Sequence, residues 1–333
     1  MSPTLYYICF IPPKTGGELV NVQSVIALNQ MGVRAVGLVN PEARIDPQAL
    51  EAGFIHEHLA PGRQFRADDV IVIPEYYREA FQHFATQPCQ RVIHTQGPFL
   101  TFRGFDSIEA LNAHGFLAGI SCSRFGQRLM EEMGATLPWH VVTPFVHPLF
   151  HQTHALKRMQ VAWMPNKRPG EAPVIQALFR QRYPEFREVE WVPIVGMSRK
   201  ECARVMAEST VFASLSHLEG LGLPPLEAMA AGCLVCGFTG HGGSDYATPE
   251  NGLWVKEGDH AGFADAVARS LNWADSFGRE AILQKAAGQA TAARYSRSRF
   301  EEELQTAWRI ILGDRWPTYQ QEGVALPRVA LRT

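Results

Sequence analysis

The stretch EGLGLPPLEAMAAG, residues Glu219–Gly232, decides the fold. It places two carboxylates, Glu219 and Glu227, eight positions apart, with two glycines and a Pro-Pro pair between them. Short apolar segments flank it at 211–215 and 233–238, so the pattern predicts strand, loop, helix and strand in that order. The prolines fit this assignment, because proline is tolerated in the first turn of a helix.

The loop between the two acids is typical of an anion site. Gly220 and Gly222 allow the backbone N–H groups to approach a ligand closely. The positive end of the following helix favours a negative charge at the same place. Two carboxylates beside a phosphate site can accept hydrogen bonds from hydroxyl groups. A nucleotide sugar carries both a diphosphate and hydroxyls, so the segment predicts a nucleotide-sugar site.

This E-x7-E unit is followed by His241-Gly242-Gly243 and Asn251-Gly252-Leu253. Together these residues resemble the donor site of GT-B glycosyltransferases, most closely the retaining family 4 type. The resemblance implies an α/β fold with two Rossmann-like doubly wound domains facing a central cleft. It also implies that Glu227 accepts hydrogen bonds from the ribose hydroxyls and Glu219 from the transferred sugar. A helix-capping loop with a chance glutamate is the alternative, as is Glu219 acting as a nucleophile.

Length and composition fit this expectation. The 333 residues suggest about two domains, and 46% apolar with 19% charged residues is a globular composition. The net charge of −2 gives no general argument for nucleic acid. No apolar run approaches the ~20 residues of a membrane helix, and the first residues lack the features of a signal peptide. We therefore expect a cytoplasmic protein. Many relatives touch the inner membrane face through a basic amphipathic helix, and no clear one is present here.

The sequence gives no sign of a metal or cofactor site. Four of the six cysteines lie in apolar segments and are expected to be reduced core residues, namely Cys9, Cys122, Cys233 and Cys236. The histidines at 147, 151 and 154 lie near the expected interdomain linker and are better explained as solvated surface. No Asp-x-Asp element of metal-dependent glycosyltransferases occurs. We expect no cofactor, with the nucleotide sugar as substrate.

The order of predicted elements supports a doubly wound sheet in each half. In the first half, strands are predicted at 5–11, 33–39, 70–73, 91–95, 116–121 and 141–143. In the second half, strands at 160–164 and 188–195 precede the E-x7-E unit, and helices follow at 259–273, 279–292 and 298–312. We predict an N-terminal domain at 1–150 and a donor domain at 151–312. By resemblance, the C-terminal helix returns to the N-terminal domain, and the tail 313–333 packs on that domain.

Further donor-side residues are predicted around the two acids. Lys167 and Arg168, in MPNKRP, follow a predicted strand where the family places basic residues on the diphosphate. The usual Gly-Arg and Lys pattern is absent there, so a solvated basic turn is the alternative. Backbone donors are expected from Gly220, Leu221, Gly222 and Leu223 and, by resemblance, from the turn Gly16-Gly17 after the first strand. His217 is a further candidate for the site, with plain surface as its alternative.

The loop His94-Thr95-Gln96-Gly97-Pro98-Phe99 is predicted to form the acceptor side. It ends a strand, where ligand sites of α/β sheets form. Many family members have a histidine near the reacting sugar at the position aligned with Gln96. Gln96 cannot act as a base but can hydrogen-bond a sugar, whereas His94 should lie deeper in the sheet and is also explained as a core histidine. Phe99 is assigned to the acceptor side with them.

The sequence therefore predicts a retaining glycosyltransferase that moves a sugar from a nucleotide-diphosphate donor to an acceptor hydroxyl. By resemblance the acceptor is a glycan or glycolipid of bacterial polysaccharide or lipopolysaccharide synthesis. The rivals are a nucleotide-sugar epimerase or phosphorylase of the same fold, and a non-catalytic partner subunit. A phosphorylase would need a lysine for pyridoxal phosphate, and none lies in the E-x7-E unit or its flanking strands. The base, the sugar and the oligomeric state are not readable.

Overall fold

The computed structural model describes residues 3–10, 16–151 and 155–321, with the side chains of 47 and 48 left undescribed. The described chain forms two compact units. Unit 1 combines residues up to Thr143 with those from Phe300 onward, and unit 2 spans Pro144–Arg299. The predicted turn at 12–15, His154 and the tail beyond 321 lie outside the described residues.

Unit 1 is built on a seven-stranded parallel sheet. Its strands are β1 Leu5–Ile8, β2 Ala35–Val39, β3 His56–His58, β4 Val70–Pro74, β5 Gln90–Thr95, β6 Ala118–Ser121 and β7 Trp139–Val141, in the order β3-β2-β1-β4-β5-β6-β7. Its helices up to residue 143 are α1 Gly16–Gln30, α2 Pro47–Glu51, α3 Arg78–Ala85, α4 Thr101–Gly104, α5 Ile108–Ala113 and α6 Arg124–Glu132.

Unit 2 is built on a five-stranded parallel sheet. Its strands are β8 Arg158–Trp163, β9 Glu190–Pro193, β10 Ser209–Glu219, β11 Leu234–His241 and β12 Leu253–Trp254, in the order β12-β11-β10-β8-β9. Its helices are α7 Ala172–Arg182, α8 Arg199–Glu208, α9 Leu223–Ala230, α10 His260–Asp275 and α11 Arg279–Ala293.

The last helix, α12 Arg297–Leu312, contributes its buried side chains to unit 1 from Phe300 onward. The indole N–H of Trp308 donates to the hydroxyl of Tyr7 on β1 over 2.8 Å, and both side chains are buried. The residues after α12 also pack on the unit 1 sheet, since Arg34 N–H donates to the Tyr319 carbonyl over 3.0 Å. Burial of these aromatic side chains fixes the C-terminal segment to the first strand and its neighbour.

Local sequence explains where several elements begin. Strands β1 and β4 are buried along their whole length, which matches their continuous apolar sequence. Asp259 caps α10 by accepting from Gly262 N–H, as the sequence predicted. Ser198 and Glu201 form a capping box at the start of α8.

The structure differs from the sequence predictions at some boundaries. Strand β1 ends at Ile8, before the predicted end, and β7 lies two residues earlier than predicted. Strand β3 was not predicted, because it is short, polar and partly exposed at the sheet edge. The unit boundaries fall at 143/144 and 299/300, whereas the sequence placed them at 150/151 and 312/313.

Among the described residues, no helix is both long enough and apolar enough to span a membrane. The six cysteines are free, and the four predicted in apolar segments are buried.

Candidate functional site

The E-x7-E stretch forms the carboxyl edge of the unit 2 sheet. Strand β10 ends at Glu219, a short loop follows, and α9 begins at Leu223 with both prolines in its first turn. Gly222 precedes the helix in the left-handed region, at φ 83°, and gives the helix no side-chain cap. The first N–H groups of α9 are therefore not occupied by a capping side chain, which suits an anionic ligand.

The backbone around this edge is strained. Strand β10 carries one extra residue against β11 between Ser216 and Glu219, and Leu218 in this bulge has a positive φ of 48°. His241, which pairs with Glu219 across the strands, has φ 71°. Non-glycine residues in this region cost about 1 kcal/mol or more and are often found at functional sites.

Glycine and tyrosine contacts hold the strained loops together. A Cβ on Gly242 would lie 2.3 Å from the carbonyl oxygen of Gly220, so only glycine fits there. The buried Tyr246 hydroxyl donates to the Gly222 carbonyl over 2.7 Å. The predicted His241-Gly242-Gly243 element is therefore in direct contact with the loop between the two acids.

The two acids of the motif have different environments. Glu219 forms an ion pair with Lys167, with 2.5 Å between Oε1 and Nζ, and its side chain is 18% exposed against 39% for the lysine. Glu227 lies one turn into α9 and is partly buried. Burial raises the pKa of Glu227 to about 7, although the positive charge of Arg199 acts in the opposite direction. Among the described residues, none donates a hydrogen bond to the Glu227 carboxylate.

Arg168 has a different environment from its neighbour Lys167. Its guanidinium is buried, donates to Glu171 and Glu257 and to the Ser216 carbonyl, and lies over the Phe238 ring at 4.4 Å. These contacts are all internal to unit 2. Of the two basic residues, Lys167 has the more exposed side chain, and the diphosphate role of Arg168 stays a prediction.

The carboxyl edge of the unit 1 sheet carries a second polar cluster. Gln96 follows β5 and is partly exposed, while His94 within β5 is 2% exposed. Both contact Asn21 of α1: Gln96 Nε2 donates to Asn21 Oδ1 over 2.9 Å, and His94 Nδ1 lies 2.9 Å from the same oxygen. Burial lowers the pKa of His94 to about 4, so its ring is neutral at physiological pH.

Glu75 belongs to the same edge and is fully buried. Its Oε1 accepts from Gly97 N–H over 2.8 Å, and its Oε2 has no hydrogen-bond partner among the described residues. Burial raises the pKa of Glu75 to about 7. Among the described residues, no group of three or more His, Cys, Asp or Glu side chains is placed to hold a metal ion.

Comparison with known proteins identifies the class. Residues 169–272, which contain the whole E-x7-E unit, match the family described as glycosyl transferases group 1. An alpha-1,6-glucosyltransferase from Actinobacillus pleuropneumoniae serotype 7 (strain AP76) is 29% identical over 277 residues, which cover 80% of this chain and 83% of the relative.

The likeness to solved structures extends over nearly the whole chain. A glycosyltransferase from Rickettsia africae ESF-5 aligns with a TM-score of 0.67 at 12% identity, over 94% of this chain and 99% of its own. Anabaena Alr3699/HepE in complex with UDP aligns with a TM-score of 0.67 at 14% identity, over 92% and 99%. At these identities the likeness shows the fold, which is GT-B as predicted.

This chain has the GT-B fold and carries a glycosyl transferases group 1 domain, which together support a glycosyltransferase.

In this glycosyltransferase the predicted site residues fall into two groups, one in each unit. Unit 2 brings together Glu219, Lys167, the loop 220–223 and Glu227, with the exposed His217 beside them. Unit 1 brings Gln96 against Gly17, whose added Cβ would lie 2.0 Å from Gln96 Oε1.

The remaining predicted residues lie close to the unit 1 group. Gly16 and Gly17 form the first residues of α1. Phe99 lies beyond Gln96 in a short 3-10 turn, with its ring 6.0 Å from that of Phe125. Their roles stay predictions.

Two residues of the glycosyltransferase were missed by the sequence reasoning, Asn21 and Glu75. Asn21 lies in the middle of a helix, and no local motif marks it. Glu75 directly follows the apolar strand β4, so its position at the end of a buried parallel strand was a usable signal.

Proposed function

We propose that this protein transfers a hexosyl group, with retention, from a nucleotide-diphosphate hexose to an acceptor hydroxyl. The observation that carries the proposal is the pair of acids within the matched group 1 region. Glu219 is paired with the exposed amine of Lys167, and the Glu227 carboxylate has no donor among the described residues. The 29% identical relative acts as an alpha-1,6-glucosyltransferase, which supports glucose as the sugar.

Charge on the departing diphosphate is neutralised from two sources in this proposal. The Lys167 ammonium supplies one full positive charge, and the start of α9 supplies backbone donors and the positive end of the helix dipole. The start of α9 is in place before a ligand binds, because its loop is held by Gly242 and Tyr246, whereas Lys167 first leaves its ion pair with Glu219. These charges can do the work that a metal ion does in other transferases, so we propose metal-independent transfer.

The two acids orient the donor. Glu227 accepts from the ribose hydroxyls, and Glu219 accepts from the transferred sugar while its partner Lys167 turns to the phosphate. A carboxylate that accepts from hydroxyls in a partly buried site forms strong hydrogen bonds. Retention is proposed to proceed by departure and attack on the same face, with Glu219 as a hydrogen-bond acceptor. A covalent intermediate on Glu219 is the alternative that the test below separates.

The acceptor is proposed to be a growing glycan or glycolipid, and UDP is the first nucleotide to test. The structural neighbour Anabaena Alr3699/HepE was solved with UDP, which supports that choice. In unit 1, Gln96 is proposed to hydrogen-bond a hydroxyl of the transferred sugar, and His94 and Phe99 are proposed to lie on the acceptor side. Peripheral contact with the inner membrane face belongs to the same proposal.

The first test is thermal stabilisation by UDP, GDP, ADP, CDP and dTDP, followed by the matching nucleotide sugars. A nucleotide at about 100 times its Kd should add roughly 2.7 kcal/mol of stability. The shift should vanish in Glu227→Ala and persist in Glu185→Ala, a control in which an exposed acid of the same unit is removed. No shift with any nucleotide would favour a non-catalytic subunit.

Product analysis tests the reaction itself. Proton NMR of the glycoside should show the same anomeric configuration as the donor, and Glu219→Ala should lose transfer while binding the nucleotide. A glycosyl adduct on Glu219, trapped with a slow fluoro-sugar donor, would establish the nucleophile alternative. A changed sugar released without acceptor would instead establish an epimerase. Full transfer activity in both Glu219→Ala and Glu227→Ala would overturn the site assignment.

A further inference from the structure

Asn21 lies at the centre of the unit 1 cluster and contacts three partners. It is 1% exposed, and its side-chain Nδ2 donates to the main-chain carbonyl of Ile8 over 3.0 Å. Its Oδ1 faces Gln96 Nε2 and His94 Nδ1, each at 2.9 Å. A buried amide with every polar atom engaged fixes the orientation of the side chains around it.

The main-chain carbonyl of Ile8 fixes which atom donates and which accepts in each of these hydrogen bonds. The Ile8 carbonyl can only accept, so Asn21 must present its NH2 group to it and its oxygen to the other side. That oxygen can only accept, so Gln96 must present Nε2 to it. Turning either amide over would bring two acceptors or two donors into contact. The main-chain carbonyl therefore sets the direction of the whole chain of bonds.

The same logic sets the tautomer of His94. A separation of 2.9 Å between Nδ1 and an accepting oxygen requires a proton on Nδ1. Gln96 Nε2 also lies 3.2 Å from Nδ1, and because that nitrogen keeps its proton for Asn21, this approach is a contact between two donors. The lone pair of His94 is then on Nε2, which is buried and has no partner among the described residues.

The position of Gln96 is fixed on its main chain as well. Its carbonyl accepts from the Cys122 thiol over 3.2 Å, and the next N–H, of Gly97, donates to Glu75. Its Oε1 points towards Gly17, and no described residue donates to it. Gln96 is partly exposed, so a ligand can reach its side chain.

We infer that Asn21 is a positioning residue that makes Gln96 present its oxygen, and not its NH2 group, to the bound sugar. Gln96 then reads a hydrogen-bond donor on the ligand, which for a sugar is a hydroxyl group. A carboxylate or an ether oxygen at that position meets a carbonyl oxygen and is rejected. The inference rests on the proposed function for the identity of the ligand as a sugar, whereas the direction of the bonds stands on the unit 1 contacts.

The test compares Asn21→Leu with Asn21→Asp in the full-length protein. Leucine has a similar size but accepts no hydrogen bond. It therefore leaves the Gln96 amide free to turn over and the His94 ring free to change tautomer. Aspartate keeps an accepting oxygen for both residues but replaces the donor to the Ile8 carbonyl with a second acceptor. The first measurement is the ¹⁵N NMR signature of the His94 ring at neutral pH, assigned with a His94→Gln control.

We expect the Nδ1–H tautomer in the wild-type protein and in Asn21→Asp, and a shift towards Nε2–H in Asn21→Leu. The second measurement is kcat/KM for UDP-glucose and GDP-glucose against their monodeoxy analogues. We expect one deoxy analogue of the accepted donor to react about tenfold more slowly with the wild type, as the loss of one hydrogen bond predicts. The ratio of kcat/KM between the donor and this deoxy analogue should fall to near one in Asn21→Leu and should stay about tenfold in Asn21→Asp.

The outcomes separate this inference from the proposed function. The Nε2–H tautomer in the wild type would overturn the direction of the bonds. An unchanged deoxy ratio in Asn21→Leu, with its tautomer shifted, would overturn the control of Gln96 by Asn21. Absence of any transfer would overturn the proposed function and the sugar-hydroxyl assignment with it, while the NMR result would still decide the role of Asn21.

Discussion

The two sheet edges of this glycosyltransferase are built in different ways. The unit 2 edge comes from one contiguous stretch, Glu219 to Glu227, which Lys167 and Gly242 contact. The unit 1 edge comes from separated residues, Asn21, Glu75 and Gln96 among them, which meet only in the folded sheet.

The chemistry of the edges differs too. Unit 2 presents a partly exposed ion pair and a helix start, which suit a phosphate. Unit 1 presents amides and a neutral histidine, which suit uncharged hydroxyls.

The largest effect is expected where the unit 2 edge is most tightly packed. Gly242→Ala adds a Cβ that would lie 2.3 Å from the Gly220 carbonyl, so the loop between the acids must move. We expect a loss of stability of about 3 kcal/mol, measured by chemical denaturation, and loss of nucleotide binding. Gly170→Ala is the matched control, since its Cβ would meet nothing within 4 Å. Equal stability of the two variants would show that the loops of the unit 2 edge are not tightly coupled.

The second effect concerns the buried acid of the unit 1 edge. Because the pKa of Glu75 is raised to about 7 in the folded state, folding favours its protonated form. The contribution of Glu75 to stability is then fully present below the unfolded pKa of about 4.5, is lost as pH rises towards 7, and levels off above it; the full difference is on the order of 3 kcal/mol. Glu75→Gln keeps an acceptor for Gly97 N–H but cannot ionise, so this part of the pH dependence should disappear.

The measurement is the free energy of unfolding from pH 4 to pH 9. Glu51→Gln, at an exposed position in α2, is the control and should keep the wild-type profile. A Glu75→Gln profile that follows the wild type at every pH would show that Glu75 ionises normally in the folded protein. The unit 1 edge would then carry a charge, and the contrast with unit 2 would be lost.

The third effect is a pH dependence of donor binding in unit 2. The pKa of Glu227 is about 7 in the free protein, and the carboxylate is the form that accepts from two ribose hydroxyls. Binding should therefore weaken as pH falls below 7, by roughly tenfold per pH unit. Calorimetry of the nucleotide from pH 5.5 to 8.5 measures it. Glu227→Gln should bind the nucleotide weakly at every pH. A wild-type affinity that does not change with pH would show that Glu227 does not bind the ribose.

The smallest effect tests Gln96 through its neighbour. Gly17→Ala adds a Cβ that would lie 2.0 Å from Gln96 Oε1, so the amide must leave its position, whereas a Cβ on Gly16 would meet nothing within 4 Å. We expect kcat/KM to fall three- to tenfold in Gly17→Ala, about the value of one neutral hydrogen bond. Gly16→Ala has no effect through Gln96, so a loss of activity there would report a direct contact with the ligand.

The contrast between the edges also explains what the sequence could predict. The strand, loop and helix around Glu219 and Glu227 are encoded by neighbours in the chain, so their order was predicted. Asn21 could not be found, because its partners lie 13, 73 and 75 positions away. The burial of Arg168 was missed for a similar reason, since Glu257 is 89 positions away.

The hydrogen bond between Tyr7 and Trp308 spans 301 positions of the chain, and this has a consequence for the nascent protein. Unit 2 is one continuous segment, 144–299, and leaves the ribosome before the helix that carries Trp308. Unit 1 therefore cannot complete its fold until α12 is synthesised, and until then Tyr7 lacks its contact with Trp308. We expect ribosome-stalled chains that end before residue 300 to bind chaperones through the surface around Tyr7, and chains that include α12 to be released from them.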